Sequence, residues 1–358
     1  MICAAEPPVV RADDVDQLVV GVGLLGSGGG GDAAAFGRVL RNRLGDGELS
    51  LHAPGDLPGA VVVPSGIVGA TSVFTEKLPG GHEFVGACAA VARWTGREPT
   101  AVIGLEAGGI NGITALVAAL DLALPFVDAD LMGRALPRLD QLTWAARGLA
   151  VTPCALCEPN GQIVLIADAD PAALERTARS FLPVAGGWAA IALPPTDVGP
   201  GTREAVTGSA ARALALGRAH ATLPSTPPPD LVEDVLGARV LATGRVLEVA
   251  RHGGNGGFGR GSVTVVDGEA GTVVRLETEN EFLLAIADGV PVAACPDLLC
   301  LLDRRTAAPL GVDRLRTGDE VLVVVLPGPS WWRHPDVLPR VAPEAFGLCC
   351  PPVLFGDA

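Results

Sequence analysis

Three carboxylates and an amide, Glu106, Asn111, Asp128 and Asp130, lie within the run from Ala101 to Arg134, AVIGLEAGGINGITALVAALDLALPFVDADLMGR. Carboxylates exchange protons or hold a cation, and an amide offers both a donor and an acceptor, so this set is equipped for acid–base chemistry on a small polar ligand. The flanking sequence explains how the four could meet. Ala101 to Leu105 is an apolar run that reads as a strand delivering Glu106 to the loop Gly108-Gly109-Ile110-Asn111-Gly112. Ile113 to Leu122 has helical spacing, and Pro125-Phe126-Val127 reads as a second buried strand ending on Asp128 and Asp130. Ligands of open α/β sheets sit beyond the carboxyl ends of the strands, so one such unit aims all four side chains toward a single crevice. Residues two apart on an extended strand point the same way, and paired carboxylates split into one base and one acid. Helix capping and turn formation is the competing role for Asp128 and Asp130. A divalent metal held by Glu106, Asp128 and Asp130 is a candidate cofactor, with water activation as its chemistry.

Further candidates lie outside this unit. Gly26-Ser27-Gly28-Gly29-Gly30-Gly31-Asp32 joins two helical patterns, Val15 to Val22 and Ala33 to Leu44. Consecutive glycines are entropically costly and are best explained by backbone passing close to a ligand, with N–H groups of Gly28 to Gly31 available to a carbonyl or anion. Lys77, beside Glu76, is the one lysine in a chain with 25 Arg, and an ammonium can assist a leaving group where a guanidinium cannot titrate. Arg251 to Gly261 is a second glycine-dense stretch carrying His252, Asn255 and Arg260, able to close over a ligand. Gly21-Val22-Gly23-Leu24-Leu25-Gly26 satisfies the GxGxxG dinucleotide pattern, but the segment before it is acidic and makes a poor strand.

The positioning elements follow from composition. At 358 residues the chain is long for one core, and its Ala, Val and Leu with 47 Gly and 30 Pro suit α/β layers rich in parallel sheet. Strand and helix patterns alternate to about His220, and Glu204 to Leu216 reads as the last helix of the series. Leu223 to Pro229 reads as a linker, after which short strand-like runs separated by Gly, Pro and Asp turns mark a mostly β region. The expected division is an α/β domain over residues 1–222 and a mostly β domain over 230–358 that closes over the pocket.

A net charge of −14 without a basic run excludes nucleic acid and anionic membrane surfaces as partners, leaving a small-molecule substrate and self-association into a homo-oligomer as the expectations. No apolar stretch reaches membrane-span length and no signal pattern opens the chain, so a cytoplasmic location is expected. Eight Cys include the pairs Cys154/Cys157 and Cys349/Cys350 but no His at ligand spacing, which favours buried small side chains over zinc or disulfides.

Taken together, these blocks resemble the S-methyl thiohydantoin desulfurase family, which is associated with hydantoinases. The resemblance rests on Gly26 to Asp32, Glu76-Lys77, Leu105-Glu106-Ala107-Gly108-Gly109, Val127-Asp128-Ala129-Asp130 and Met132-Gly133-Arg134. It continues through Gly256-Gly257-Phe258, Arg260-Gly261, Glu279-Asn280-Glu281 and Pro296 to Cys300, in the family's order; Leu131 and Arg138 depart from its pattern beside the expected pocket. The resemblance implies hydrolysis of a C–S bond at the amidine-like carbon of a five-membered ring, giving a hydantoin and a thiol. In that scheme Asp128 or Asp130 activates water, Glu106 and Asn111 fix the ring, the Gly28 to Gly31 backbone and the Gly108-Gly109 turn receive it, and Lys77 or Arg134 supports the leaving group. A cyclic amidase acting on a hydantoin or oxoproline, and a non-catalytic subunit of a hydantoinase-type complex, are the competing readings.

Overall fold

The computed structural model describes residues 7–70, 73, 76–252 and 259–356. Two sheets organise it. The first is mixed, in the order Val9–Arg11, Glu48–His52, Phe126–Asp130, Ala101–Gly104, Val61–Gly69, Trp188–Ala192, Cys154–Cys157 and Ile163–Ile166. Its middle four strands, Glu48–His52 to Val61–Gly69, pair in parallel, while every other pairing is antiparallel, so the expectation of a mainly parallel sheet holds only for that middle. Alternation along the strands sends side chains to two cores. Val63 and Val102 pack with helices Val15–Leu25, Ala34–Leu44, Glu83–Thr95, Asn111–Leu122 and Ser209–His220. Val62, Ala101 and Ile103 pack on the opposite face with helix Pro171–Phe181 and with Trp332, Val337 and Phe346 from the chain's last segment.

The second sheet is wholly antiparallel, in the order Val290–Ala294, Glu281–Ala287, Val273–Glu279, Arg260–Asp267, Arg239–His252, Glu320–Leu326, Leu298–Asp303 and Pro309–Leu310. Leu299 and Leu301 face its own core, whereas Leu298, Cys300 and Leu302 on the same strand join the helical core of the first half. One strand thus welds the halves together. The linker expectation is modified too: Pro229 opens helix Pro229–Leu236, where the missing N–H of proline is no loss, and the spacer shortens to the residues before it.

Two local departures matter for function. The helix expected over Glu204 to Leu216 is broken: Val206–Thr207 pairs with Asp130 and Ala129, Gly208 takes a left-handed φ of 77°, and a new helix runs Ser209–His220. The GxGxxG run lies inside helix Val15–Leu25 and its cap, where a Cβ on Gly21 would stand 1.7 Å from the Ala213 carbonyl oxygen. Gly21 lets two helices touch along their backbones, Gly23 makes room for Pro309 and Gly26 for the Gly29 carbonyl, which accounts for the motif without a dinucleotide.

Candidate functional site

A cleft of about 820 Å³ opens where the two halves meet. Its lining includes Gly28–Gly31, Glu106 and Asn111 from the first half and Arg251, Arg260 and Glu281 from the second. The glycine loop reaches it through unusual backbone: Ser27, Gly28, Gly30 and Gly31 have φ values of 49°, 80°, 69° and 75°, conformations that cost a side-chain-bearing residue but not glycine. Ser27 ties the loop to the second sheet. Its hydroxyl donates to the Leu299 carbonyl at 2.8 Å, and its own carbonyl accepts from the Phe282 N–H at 2.8 Å. Within the loop, the Gly29 N–H donates to the Gly26 carbonyl, so that donor is engaged in the turn.

Glu106 stands just past the end of strand Ala101–Gly104 and is 7% exposed. Asn111 Nδ2 donates to one of its oxygens at 2.8 Å, and the Leu136 N–H donates to the other at 2.9 Å. Asn111 is itself locked: its Oδ1 accepts from the Ile67 N–H at 2.7 Å and its Nδ2 also donates to the Ile67 carbonyl at 3.1 Å. Burial raises the Glu106 carboxyl to about 7, opposed by the two N–H donors and by Arg134 and reinforced by the nearby Asp130 charge. A carboxyl titrating near neutrality in a cleft is a general-base candidate with its orientation fixed.

Asp128 and Asp130 are absent from the cleft lining and serve the fold. The Ala210 and Ala211 N–H groups, at the start of helix Ser209–His220, donate to the two Asp128 oxygens at 2.8 and 3.0 Å. Asp130 accepts from the Met132 and Gly133 N–H groups and from the Ser209 hydroxyl. Burial raises both carboxyls, Asp130 to about 6, and these donors oppose the rise. Both carboxyls are thus engaged in helix capping and turn formation, the competing role, and neither stands on the cleft lining where a water-activating group is expected. Every oxygen of the proposed metal set Glu106, Asp128 and Asp130 already accepts a hydrogen bond, from backbone N–H groups, the Asn111 amide or the Ser209 hydroxyl. Among the described residues no group of three or more His, Cys, Asp or Glu is placed to hold a metal ion.

The remaining expectations divide. Lys77 pairs with Glu158 at 2.7 Å and donates to the Ala185 carbonyl at 2.6 Å; it is not itself in the cleft lining, and its ammonium is engaged behind the Pro183 and Gly187 turn that is. Glu76 is exposed beside it. Arg134 is fully buried; its Nη1 donates to the Asp297 carbonyl at 2.7 Å, so it acts on the cleft through its field. Gly108 and Gly109 belong to packing: the Gly109 N–H donates to Val22, and a Cβ on Gly109 would stand 2.3 Å from the Gly30 carbonyl oxygen. Asp32 pairs with Arg314 on the surface. Arg260 does reach the cleft mouth, paired at 2.7 Å with Glu279, which Arg138 approaches at 3.5 Å from the other half. Asn255 lies outside the described residues, and Leu131 is core.

Glu281 is the residue whose site role the chemistry of the run Ala101 to Arg134 does not reach. It lies 3% exposed against Gly29, and burial raises its carboxyl to about 8, aided by Glu106 and opposed by Arg134. The available signal is a pair of acids, Glu279 and Glu281, around Asn280 immediately before the apolar run FLLAIA.

Models of the S-Me-THD-like N-terminal and C-terminal domains match residues 13–168 and 169–353. That division falls inside the first sheet, because Trp188–Ala192 pairs with Val61–Gly69. A crystal structure of a protein from Chromobacterium violaceum is similar in fold, with a TM-score of 0.78 at 23% identity over 97% of this chain and 99% of that one. No curated protein matches the chain. No helix among the described residues is long and apolar enough to cross a membrane.

Proposed function

The chain belongs to the S-methyl thiohydantoin desulfurase-like family, and from that premise we propose that it is a hydrolase cleaving the C–S bond of an S-alkyl thiohydantoin to give a hydantoin and a thiol. The observation that carries this reading is Glu106, a carboxyl raised to about 7, fixed by Asn111 and the Leu136 N–H, at the floor of the cleft. In its ionised form it takes a proton from a water held against it, and the resulting hydroxide adds to the ring carbon bearing sulfur. The side-chain-free surface of Gly28–Gly31 leaves room for a flat ring to lie against main chain. Arg134, buried behind the carboxyls, offsets negative charge as the adduct forms.

The test is incubation of the purified protein with an S-methyl thiohydantoin, following thiol by a colorimetric reagent and the ring product by mass. Thiol with an intact hydantoin supports the reading. Ring opening without thiol release replaces it with a cyclic amidase in the same cleft.

A further inference from the structure

We propose that Glu281 is the general acid that complements Glu106, carrying a proton on the second-half wall of the cleft and giving it to the leaving sulfur. This rests on the hydrolytic reading above and adds the second half of its proton chemistry.

Position comes first. Glu281 opens strand Glu281–Ala287 and lines the same cleft as Glu106, which arrives from the other half. The difference lies in what the two carboxyls accept. Glu106 receives two N–H bonds, which favour its ionised form. Glu281 receives one, from its own backbone N–H, and its Oε2 is enclosed and finds no hydrogen-bond partner among the described residues. A bare buried oxygen is tolerable on a neutral carboxyl and costly on a carboxylate. The glycine loop provides the seat, because a Cβ on Gly29 would stand 2.2 Å from Glu281 Oε1. The charged groups facing Glu281 are Glu106 and Glu279, which favour its protonated form, and Arg134, which favours the ionised one. Arg134 also has a buried Nη2 without a partner among the described residues, so it is suited to steady the carboxylate once the proton has left.

The proton ledger closes. Glu106 takes one proton from water as the oxygen bonds to the ring carbon, and the C=N electron pair moves to nitrogen, which takes that proton from Glu106. On collapse the adduct hydroxyl returns a proton to Glu106 as C=O forms, the C–S bond breaks, and sulfur leaves with the Glu281 proton. Transfer of a proton from Glu106 to Glu281 resets the pair.

The experiment compares S-methyl with S-(4-nitrophenyl) thiohydantoin, whose thiolate leaves without a proton. Glu281→Gln is expected to lose about 100-fold or more in kcat on the S-methyl substrate but under about 10-fold on the aryl one, the range general acids supply. Its alkaline limb, near pH 8 in the wild type, is expected to vanish. Gly29→Ala, which fills the seat but keeps the acid, should give the same leaving-group pattern. Equal losses on both substrates, or an intact alkaline limb in Glu281→Gln, overturn the assignment. A carboxyl 13C titration separates its failure from that of the reaction: a Glu281 signal that titrates near its ordinary value and ignores Glu106→Gln overturns the proton-holding role whatever the enzyme turns over.

Discussion

Glu106 and Asp128 are both buried carboxyls near the ends of parallel strands, yet their partners give them different work. Glu106 keeps access to the cleft, while Asp128 is covered by the first N–H groups of helix Ser209–His220. Asp128→Asn places an NH₂ among donors and is expected to cost about 1–3 kcal/mol of stability, with kcat per folded molecule close to wild type. Thermal melts and active-site-normalised kinetics check this. Asn111→Ala removes a donor that holds the Glu106 carboxyl down, so the acid limb of kcat/KM, near pH 7 in the wild type, is expected to move upward. A limb that stays in place would detach Asn111 from the base. At this scale the placing of Glu106 and Asn111 on the cleft was legible, because a strand ending in an acid before glycines delivers that acid to the sheet's carboxyl edge. Asp128 and Asp130 misled because capping and catalysis ask for the same residue type.

The element that decides between those roles is helix Ser209–His220. Its pattern reads as continuous from Glu204, and only the left-handed Gly208 and the bridge at Val206–Thr207 restart it over Asp128. Periodicity marks where a helix can run but not which carboxylate meets its first N–H groups. The same helix crosses Val15–Leu25 with backbone contact, since Cβ atoms on Gly21 and Gly217 would stand 1.7 Å from the carbonyl oxygens of Ala213 and Gln17. Gly21→Ala is therefore expected to separate the helices and cost about 1–3 kcal/mol or more, read as a lowered denaturation midpoint. An unchanged midpoint would show the crossing to be looser than described. The strands of the second half were legible as short β-type runs between Gly, Pro and Asp turns, apart from Val290–Ala294 and Pro309–Leu310. The double-sided role of Leu298–Asp303 was not, because a run apolar at every position does not say which two cores it joins.

For the whole molecule, buried acids that ionise late gather in and behind the cleft, Glu106 and Glu281 on its lining and Asp130 beneath it. Glu106, Asp130 and Glu281 are raised to about 7, 6 and 8, so between about pH 5 and 8 the unfolded chain has released protons the folded chain still holds. Stability should then fall as pH rises through that window, by up to about 1.4 kcal/mol per pH unit for each group. Melting temperatures across the range should decline toward pH 8, and Glu281→Gln should flatten the upper part of the decline. A wild-type profile that rises instead would contradict the burial of these groups. That Glu106 and Glu281 share one cleft belongs to this scale: they arrive from different halves, with Ser27 tying the glycine loop between them to Leu299 and Phe282. No local pattern in the sequence places the two on one cleft.

The most direct measurement is thiol release from an S-methyl thiohydantoin by the wild type, Glu106→Gln and Asp128→Asn at a temperature where all three are folded. Release is expected from the wild type and from Asp128→Asn, with a loss of about 100-fold or more in Glu106→Gln. Thiol release by Glu106→Gln at the wild-type rate, or its loss in folded Asp128→Asn alone, would contradict the assignment of Glu106 as the base.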